Sequence, residues 1–191
     1  MERRTSTLDL ELRAAGDDAP PVIFGYAAVF NQLSEDLGGF RERIAPGAFT
    51  KALGDDVRAL FNHDPNIVLG RTRAKTLRIS EDQKGLAIEI DPPDTPAAAS
   101  LIESLRRGDI SQMSFGFQTV EDQWDLIDGA MIRTLLDVRL FDVSPVTYPA
   151  YPQTEAALRS LDEFRKLSES HAKPDMGDIA RMRLLTLQAS V

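Results

Sequence analysis

The sequence predicts a mainly β protein with flanking helices, built as a small, mostly antiparallel β-barrel. Two observations carry that expectation. Several short segments are strand-like, and the clearest of them, Leu86 to Ile90, alternates with a period of two residues, the mark of a half-buried strand. Few helical stretches separate these segments, so the chain lacks the strand–helix alternation of a parallel α/β sheet. The length of 191 residues and an apolar fraction of 42% fit one domain, whose core needs neither disulfides nor metal.

Taken in order, residues 14 to 21 read as a loop, because Gly16, Asp17, Asp18, Pro20 and Pro21 crowd into it. Val22 to Phe30 reads as a strand, with Gly25 marking a bulge or a close contact. Residues 31 to 40 are polar and carry Gly38-Gly39, the pattern of a mobile surface loop. Pro46 to Leu53 reads as a short helix, opened by Pro46 and followed by Gly54. Val57 to Asn62 reads as a strand running into His63, with the turn placed at Asp64-Pro65. Thr76 to Ser80 and Leu86 to Ile90 pair as a hairpin; Leu86, Ile88 and Ile90 form its buried face.

A helix is expected after Thr95, with Thr95 as N-cap, Pro96 as its first residue and Gly108 as a left-handed cap. Leu101, Ile102 and Leu105 make its apolar face, and Arg106 and Arg107 suit its C-terminal dipole. Ile110 to Val120 and Ile132 to Val146 read as strands, joined by an acidic turn region from Glu121 to Ala130 that holds the only Trp. Thr154 caps a helix whose apolar stripe runs from Ala157 to Leu167; beyond it come a break at Lys173-Pro174 and a short amphipathic stretch.

Composition excludes several classes. A net charge of −8 argues against a nucleic-acid-binding surface. No apolar run approaches the ~20 residues of a membrane span, and none comes after Arg3-Arg4, so neither a membrane segment nor a signal peptide is expected. Without cysteine there is no thiol nucleophile and no thiolate metal site, and a reducing compartment, the cytoplasm, is the default location.

The chain has two histidines, His63 and His171. His171 lies in a polar, Pro-interrupted stretch, whereas His63 ends an apolar run. An imidazole base would therefore be His63, and its nucleophile would be a hydroxyl. Ser114 is the best-placed hydroxyl. Alternation puts Met113, Phe115 and Phe117 on one face of its strand and Gln112, Ser114, Gly116 and Gln118 on the other. Gly116 leaves room there for a second backbone to approach. Read alone, the same strand is more simply a half-buried barrel strand with a solvent-facing serine, and His63 alone is a surface or satisfied core histidine. Asp142 sits in an apolar strand, where a carboxylate needs a partner. It can orient His63, or pair with Arg139, Arg133 or Arg71 as a structural ion pair.

The pattern of short motifs is more specific than any one of them. Gly25-Tyr26-Ala27-Ala28-Val29-Phe30, then Arg41 to Phe49, Leu60-Phe61-Asn62-His63-Asp64, Leu69-Gly70-Arg71-Thr72, Gly85-Leu86, Met113-Ser114-Phe115-Gly116-Phe117, and Asp142 to Ala150 occur in that order. In this the chain resembles the prohead proteases of tailed bacteriophages, a family similar in fold to the herpesvirus maturational proteases. The resemblance covers about residues 22 to 155. It implies a serine endopeptidase with His63 as general base, Ser114 as nucleophile and the acidic position, Asp142, as third member. That position is usually Glu in the family, so Asp142 is one methylene shorter. The herpesvirus enzymes use a second histidine there.

The resemblance places a protease domain over 1–152, and the residues beyond its last motif, broken at Pro174 and Gly177, read as a helical, partly mobile tail over 153–191. The implied substrates are the phage major capsid protein and scaffold segments inside the immature capsid in the host cytoplasm, and self-cleavage and a homo-oligomer accompany them. No cofactor is implied, nor a nucleic-acid or membrane partner. Arg139 is a candidate for the oxyanion hole but reads better as an ordinary surface arginine. Two other readings compete. One is a non-enzymatic capsid-assembly or scaffolding module on the same fold. The other is a carboxylate-based hydrolase using Asp91 and Asp94, which read better as a turn before the helix.

Overall fold

The computed structural model describes residues 1–6, 10–13 and 21–148, together with positions 161, 162 and 166. The chain divides into Met1–Thr154 and Glu155–Val191. Of the second unit only the three isolated positions are described, and they are helical. Almost all of the expected loop at 14 to 21, and most of the expected tail helix, lie outside the described residues. The break at Lys173-Pro174, the stretch beyond it and His171 lie there too.

Up to residue 148 the described elements are ten strands, one α-helix and a 3₁₀ turn: β1 (Glu2–Ser6), β2 (Glu11–Arg13), β3 (Val22–Val29), β4 (Arg41–Ile44), β5 (Arg58–Phe61), β6 (Asp64–Arg71), β7 (Leu77–Glu81), β8 (Gly85–Ile90), α1 (Pro96–Arg107), β9 (Gln112–Ile127) and β10 (Ala130–Val146). They form two sheets. One runs β1-β9-β10-β5-β6 with β4 also on β10; the other runs β2-β3-β8-β7. The mainly β, mostly antiparallel class is as expected. The barrel is not: the ladders leave two open sheets, and β4 and β5 run parallel to β10.

β10 organises the first sheet. Its N-terminal half pairs with β4, its C-terminal half pairs with β5, and its other edge pairs with β9 throughout. Seventeen residues would accumulate a strong twist if left regular. Register shifts around Leu136 and at Phe141 interrupt the ladder instead and re-aim the side chains beyond each shift.

The core forms because both sheets bury one face. Ile23, Ile88 and Ile90 come from the smaller sheet; Met113, Phe115, Phe117, Leu135, Leu140 and Val143 come from the larger; Ala98 and Leu101 come from α1. Phe49 meets Phe115 edge-on at 5.6 Å, and Phe115 stacks on Phe117 at 4.9 Å, an aromatic row along the back of β9. α1 has the expected termini. Thr95 accepts from the Ala98 amide at 3.3 Å, and Gly108 takes the left-handed cap with φ 76°.

Three further expectations are corrected. Residues 46 to 54 do not form an α-helix but a run of turns and one 3₁₀ turn at Ala52–Gly54. Gly47, with φ 91°, takes the backbone out of the helical region just after Pro46. The acidic segment from Glu121 is not a turn region: β9 continues to Ile127, and Asp128-Gly129, both at positive φ, make a two-residue hairpin turn into β10. The turn beside His63 also lies elsewhere. Asp64-Pro65 already belong to β6, in a stretch where the ladder skips from Asp64 to Val68 and so tolerates a proline. Residues 31 to 40 are irregular and mostly exposed, as expected, but Leu37 and Phe40 are buried, and Phe40 packs on Trp124 at 5.0 Å.

One buried polar feature has no counterpart in the expectations. β1 alternates, with Glu2 and Arg4 buried and Arg3 exposed. Arg4 donates to Glu42 at 2.8 Å and to Glu2 at 3.0 Å. Arg133 donates to Glu2 at 2.9 Å, to Glu42 at 3.1 Å and to Asp122 at 2.6 Å. Burial pushes the Glu2 carboxyl up. Hydrogen bonds from Arg133 and Thr119, and the charges of Arg133 and Arg4, outweigh it and hold Glu2 below the ordinary value. This cluster ties β1 to β4, β9 and β10.

Candidate active site

β5 and β6 are joined by two residues, Asn62 and His63, both in the left-handed region with φ of 53° and 57°. Positive φ at both central positions is the two-residue hairpin turn that suits twisted strands. Asn adopts it readily; a histidine there is uncommon and is held by its surroundings. The restraint comes from Asn62. Its amide donates to the Pro145 carbonyl at 3.0 Å, its Nδ2 to Thr147 Oγ1 at 3.2 Å, and its Oδ1 accepts from the Thr147 amide at 2.8 Å. The turn is thereby pinned to the end of β10. Asp64 caps the strand start by accepting from the Asn66 amide at 2.9 Å, which keeps it out of the chemistry.

The His63 ring lies between two side chains of the β9–β10 pair. Its Nε2 is 2.7 Å from Ser114 Oγ, and its Nδ1 is 2.5 Å from Asp142 Oδ1. Asp142 accepts, so Nδ1 carries the proton and Nε2 is the acceptor for the serine hydroxyl. Ser114, Asp142 and the His63 side chain are all buried, and Ser114 has no exposed surface. Ser114 lies opposite Ser144 on β10 and opposite Thr5 on β1. As alternation predicts, Met113, Phe115 and Phe117 point into the core while Ser114 and Gly116 share the other face.

Gly116 does leave room, but for a side chain and not a backbone. A Cβ built on it would stand 2.3 Å from Asp142 Oδ2. The shift at Phe141 sets Asp142 directly opposite Gly116. Ser144, fully buried, donates from Oγ to Asp142 Oδ1 at 2.9 Å. Asn62, Ser144 and Thr147 lie inside the matched motifs, yet sequence reasoning gave them no role. The Asn62-His63 dipeptide before a strand was the available signal for the turn.

The competing assignments fall away on geometry. Arg71 pairs with Asp56 at 2.5 Å, Arg133 is engaged by the buried cluster, and Arg139 is exposed with its guanidinium 5.3 Å over the Phe141 ring. Asp142 is thus a partner of His63 and not of an arginine. Arg139 has the place of an ordinary surface arginine. Asp91 is held by Arg78 at 2.6 and 2.9 Å, which keeps its carboxyl below the usual range, and Asp94 is exposed just ahead of the α1 cap. Asp91 is committed to that ion pair.

A mainly β scaffold carrying a Ser–His–Asp row defines a serine-hydrolase type of site. Comparison with known proteins gives the family. A model of the caudovirus prohead serine proteases matches residues 8–167. The prohead protease of Enterobacteria phage HK97 is 30% identical over 168 residues, covering 84% of this chain and 70% of that protein. No solved structure matches. The chain belongs to the caudovirus prohead serine protease family; it is a serine protease of phage capsid maturation. Among the described residues, no helix is long and apolar enough to cross a membrane.

Proposed function

We propose that the protein is an endopeptidase that cleaves scaffold and major-capsid-protein segments inside the immature phage capsid, in the host cytoplasm, and trims its own chain. The single observation that carries this reading is the His63 ring bridging Ser114 Oγ at 2.7 Å and Asp142 Oδ1 at 2.5 Å. His63 Nε2 takes the Ser114 proton as Oγ attacks the scissile carbonyl, then returns it to the leaving amine. Asp142 holds the required tautomer and stabilises the imidazolium that forms. Water repeats the sequence on the acyl-enzyme.

The protease domain spans 1–152, and 153–191 is a tail that supplies the self-cleavage region. The active species is a homo-oligomer, and kinship in architecture with the herpesvirus maturational proteases belongs to the same proposal. A purely structural capsid-assembly module would leave the buried Ser–His–Asp row without use.

The test is co-expression with the cognate capsid protein. Ser114→Ala and His63→Ala variants that fold but leave it uncut support the reading; cleavage by a folded Ser114→Ala variant refutes it. Fluorophosphonate labelling mapped to Ser114 checks the nucleophile. Equal full-length masses for the wild type and Ser114→Ala, under conditions where the capsid protein is cut, would refute self-trimming.

A further inference from the structure

Ser144 is fully buried on β10, two residues after Asp142 and on the same face. A hydroxyl withdrawn from water is costly unless it is bonded, and this one gives its hydrogen bond to Asp142 Oδ1 at 2.9 Å. That is the same oxygen that accepts from His63 Nδ1 at 2.5 Å. An aspartate carboxylate turns about a broad torsion, and intermediate rotations take its oxygens off the ring nitrogen. Two donors converging on one oxygen restrain that rotation. The other oxygen, Oδ2, lies against Gly116, where there is no side chain to hold it.

We propose that Ser144 is a positioning residue of the hydrolytic reaction. It aims Asp142 Oδ1 at His63 Nδ1, so the working acid is the Asp142–Ser144 pair and not Asp142 alone. The inference rests on the Ser114–His63–Asp142 reading and deepens it. Ser144 acts through the carboxylate, to which its hydroxyl donates.

The experiment uses the full chain with a peptide taken from the cognate capsid cleavage site. Ser144→Ala is expected to lower kcat by about 10- to 10²-fold with little change in KM. The acid limb of the pH–rate profile should move to lower pH, because a carboxylate free to turn away stabilises the imidazolium less. In the Ser114→Ala background, which cannot cut itself, the downfield proton of the His63–Asp142 bond should shift or broaden on the same change. Ser144→Thr, which keeps the donor, should retain the wild-type limb and proton signal.

A buried serine with a merely structural role would change the melting temperature and leave the pH limb and proton signal in place. That result for Ser144→Ala overturns the proposal; if the Ala variant does not fold, the Thr variant decides, and a displaced limb or lost proton signal there overturns it. Asp142→Asn separates the two levels. If it retains wild-type turnover, the triad reading itself fails. If it is slow while Ser144→Ala matches the wild type, only the role of Ser144 fails. Adding Ser144→Ala to Asp142→Asn should cost nothing further in kcat, because the hydroxyl acts only through the carboxylate.

Discussion

Gly116→Ala is the sharpest probe of how the acid is held. The new Cβ would stand 2.3 Å from Asp142 Oδ2, 3.2 Å from its Cγ and 3.4 Å from Met1 Sδ. Met1 is largely exposed, so its side chain can yield; Asp142 is buried and cannot move freely. To reach ordinary contact at 3.4 Å the carboxylate oxygen must retreat by about 1.1 Å. A shift of that size breaks the 2.5 Å contact to His63. A misplacement of ~1 Å in a catalytic array costs about 10²-fold; complete loss of the acid's role sets an upper limit of about 10⁴-fold, from the trypsin aspartate series. Overpacking adds about 1–3 kcal/mol of instability. The assay is kcat on a capsid-site peptide beside a thermal melt, with Gly54→Ala as control, since a Cβ at Gly54 meets nothing within 4 Å. Wild-type kcat in Gly116→Ala, with or without a lower melting temperature, would show that the carboxylate does not depend on this space.

Three further outcomes are expected. Asn62→Ala removes the side-chain bonds that pin the His63 turn to Thr147; it should cost about 1–3 kcal/mol in urea unfolding and lower kcat more than it changes KM. Arg133→Met leaves buried Glu2 and Glu42 short of a cation, so about 3–5 kcal/mol of stability should be lost; a loss under about 1 kcal/mol would show that the cluster contributes little. The folded Glu2 carboxyl titrates below its ordinary value of 4.5. Its stabilisation is therefore complete above the unfolded value and disappears as pH falls through the lower folded value. Melting temperatures taken through that acid range should fall less steeply for Glu2→Gln than for the wild type.

How much of this was legible in the sequence depends on which physical signal each segment carries. The β9 strand around Ser114 was readable because its two faces differ in chemistry and not in burial: Met113, Phe115 and Phe117 enter the apolar core, while Ser114 and Gly116, equally buried, face His63 and Asp142. The α1 ends were readable because Thr95, Pro96 and Gly108 each meet a local stereochemical demand. The strand β1 was not. It buries Glu2 and Arg4, so its alternation is written in charges and not in hydrophobicity. The extension of β9 to Ile127 was hidden the same way, since Glu121 to Asp125 look like a solvated turn until Arg133 is placed across from Trp124 and beside Asp122. The helix expected at Pro46 failed through one residue, Gly47, whose positive φ no periodicity argument registers.

The acid position shows why residue identity alone could not settle the site. Asp142 is one methylene shorter than the glutamate usual at the matching position, which left its reach to His63 open. The backbone supplies that reach. Asp142 pairs across to Arg58 on β5, the strand that runs directly into the Asn62-His63 turn. The irregularity at Phe141 advances the β10 register by one residue just before Asp142, turning its side chain to the Ser114 face. The turn is clamped to Pro145 and Thr147 of the same chain segment, so ring and carboxylate share one frame. Within that frame Oδ1 already meets two donors and Oδ2 already fills the space at Gly116. A longer acid would have to fold back or displace the ring. Asp142→Glu, often taken as a conservative change, should therefore lower kcat in this chain by about 10-fold or more; a fully active Asp142→Glu enzyme would mean that the space at Gly116 does not set the length of the acid.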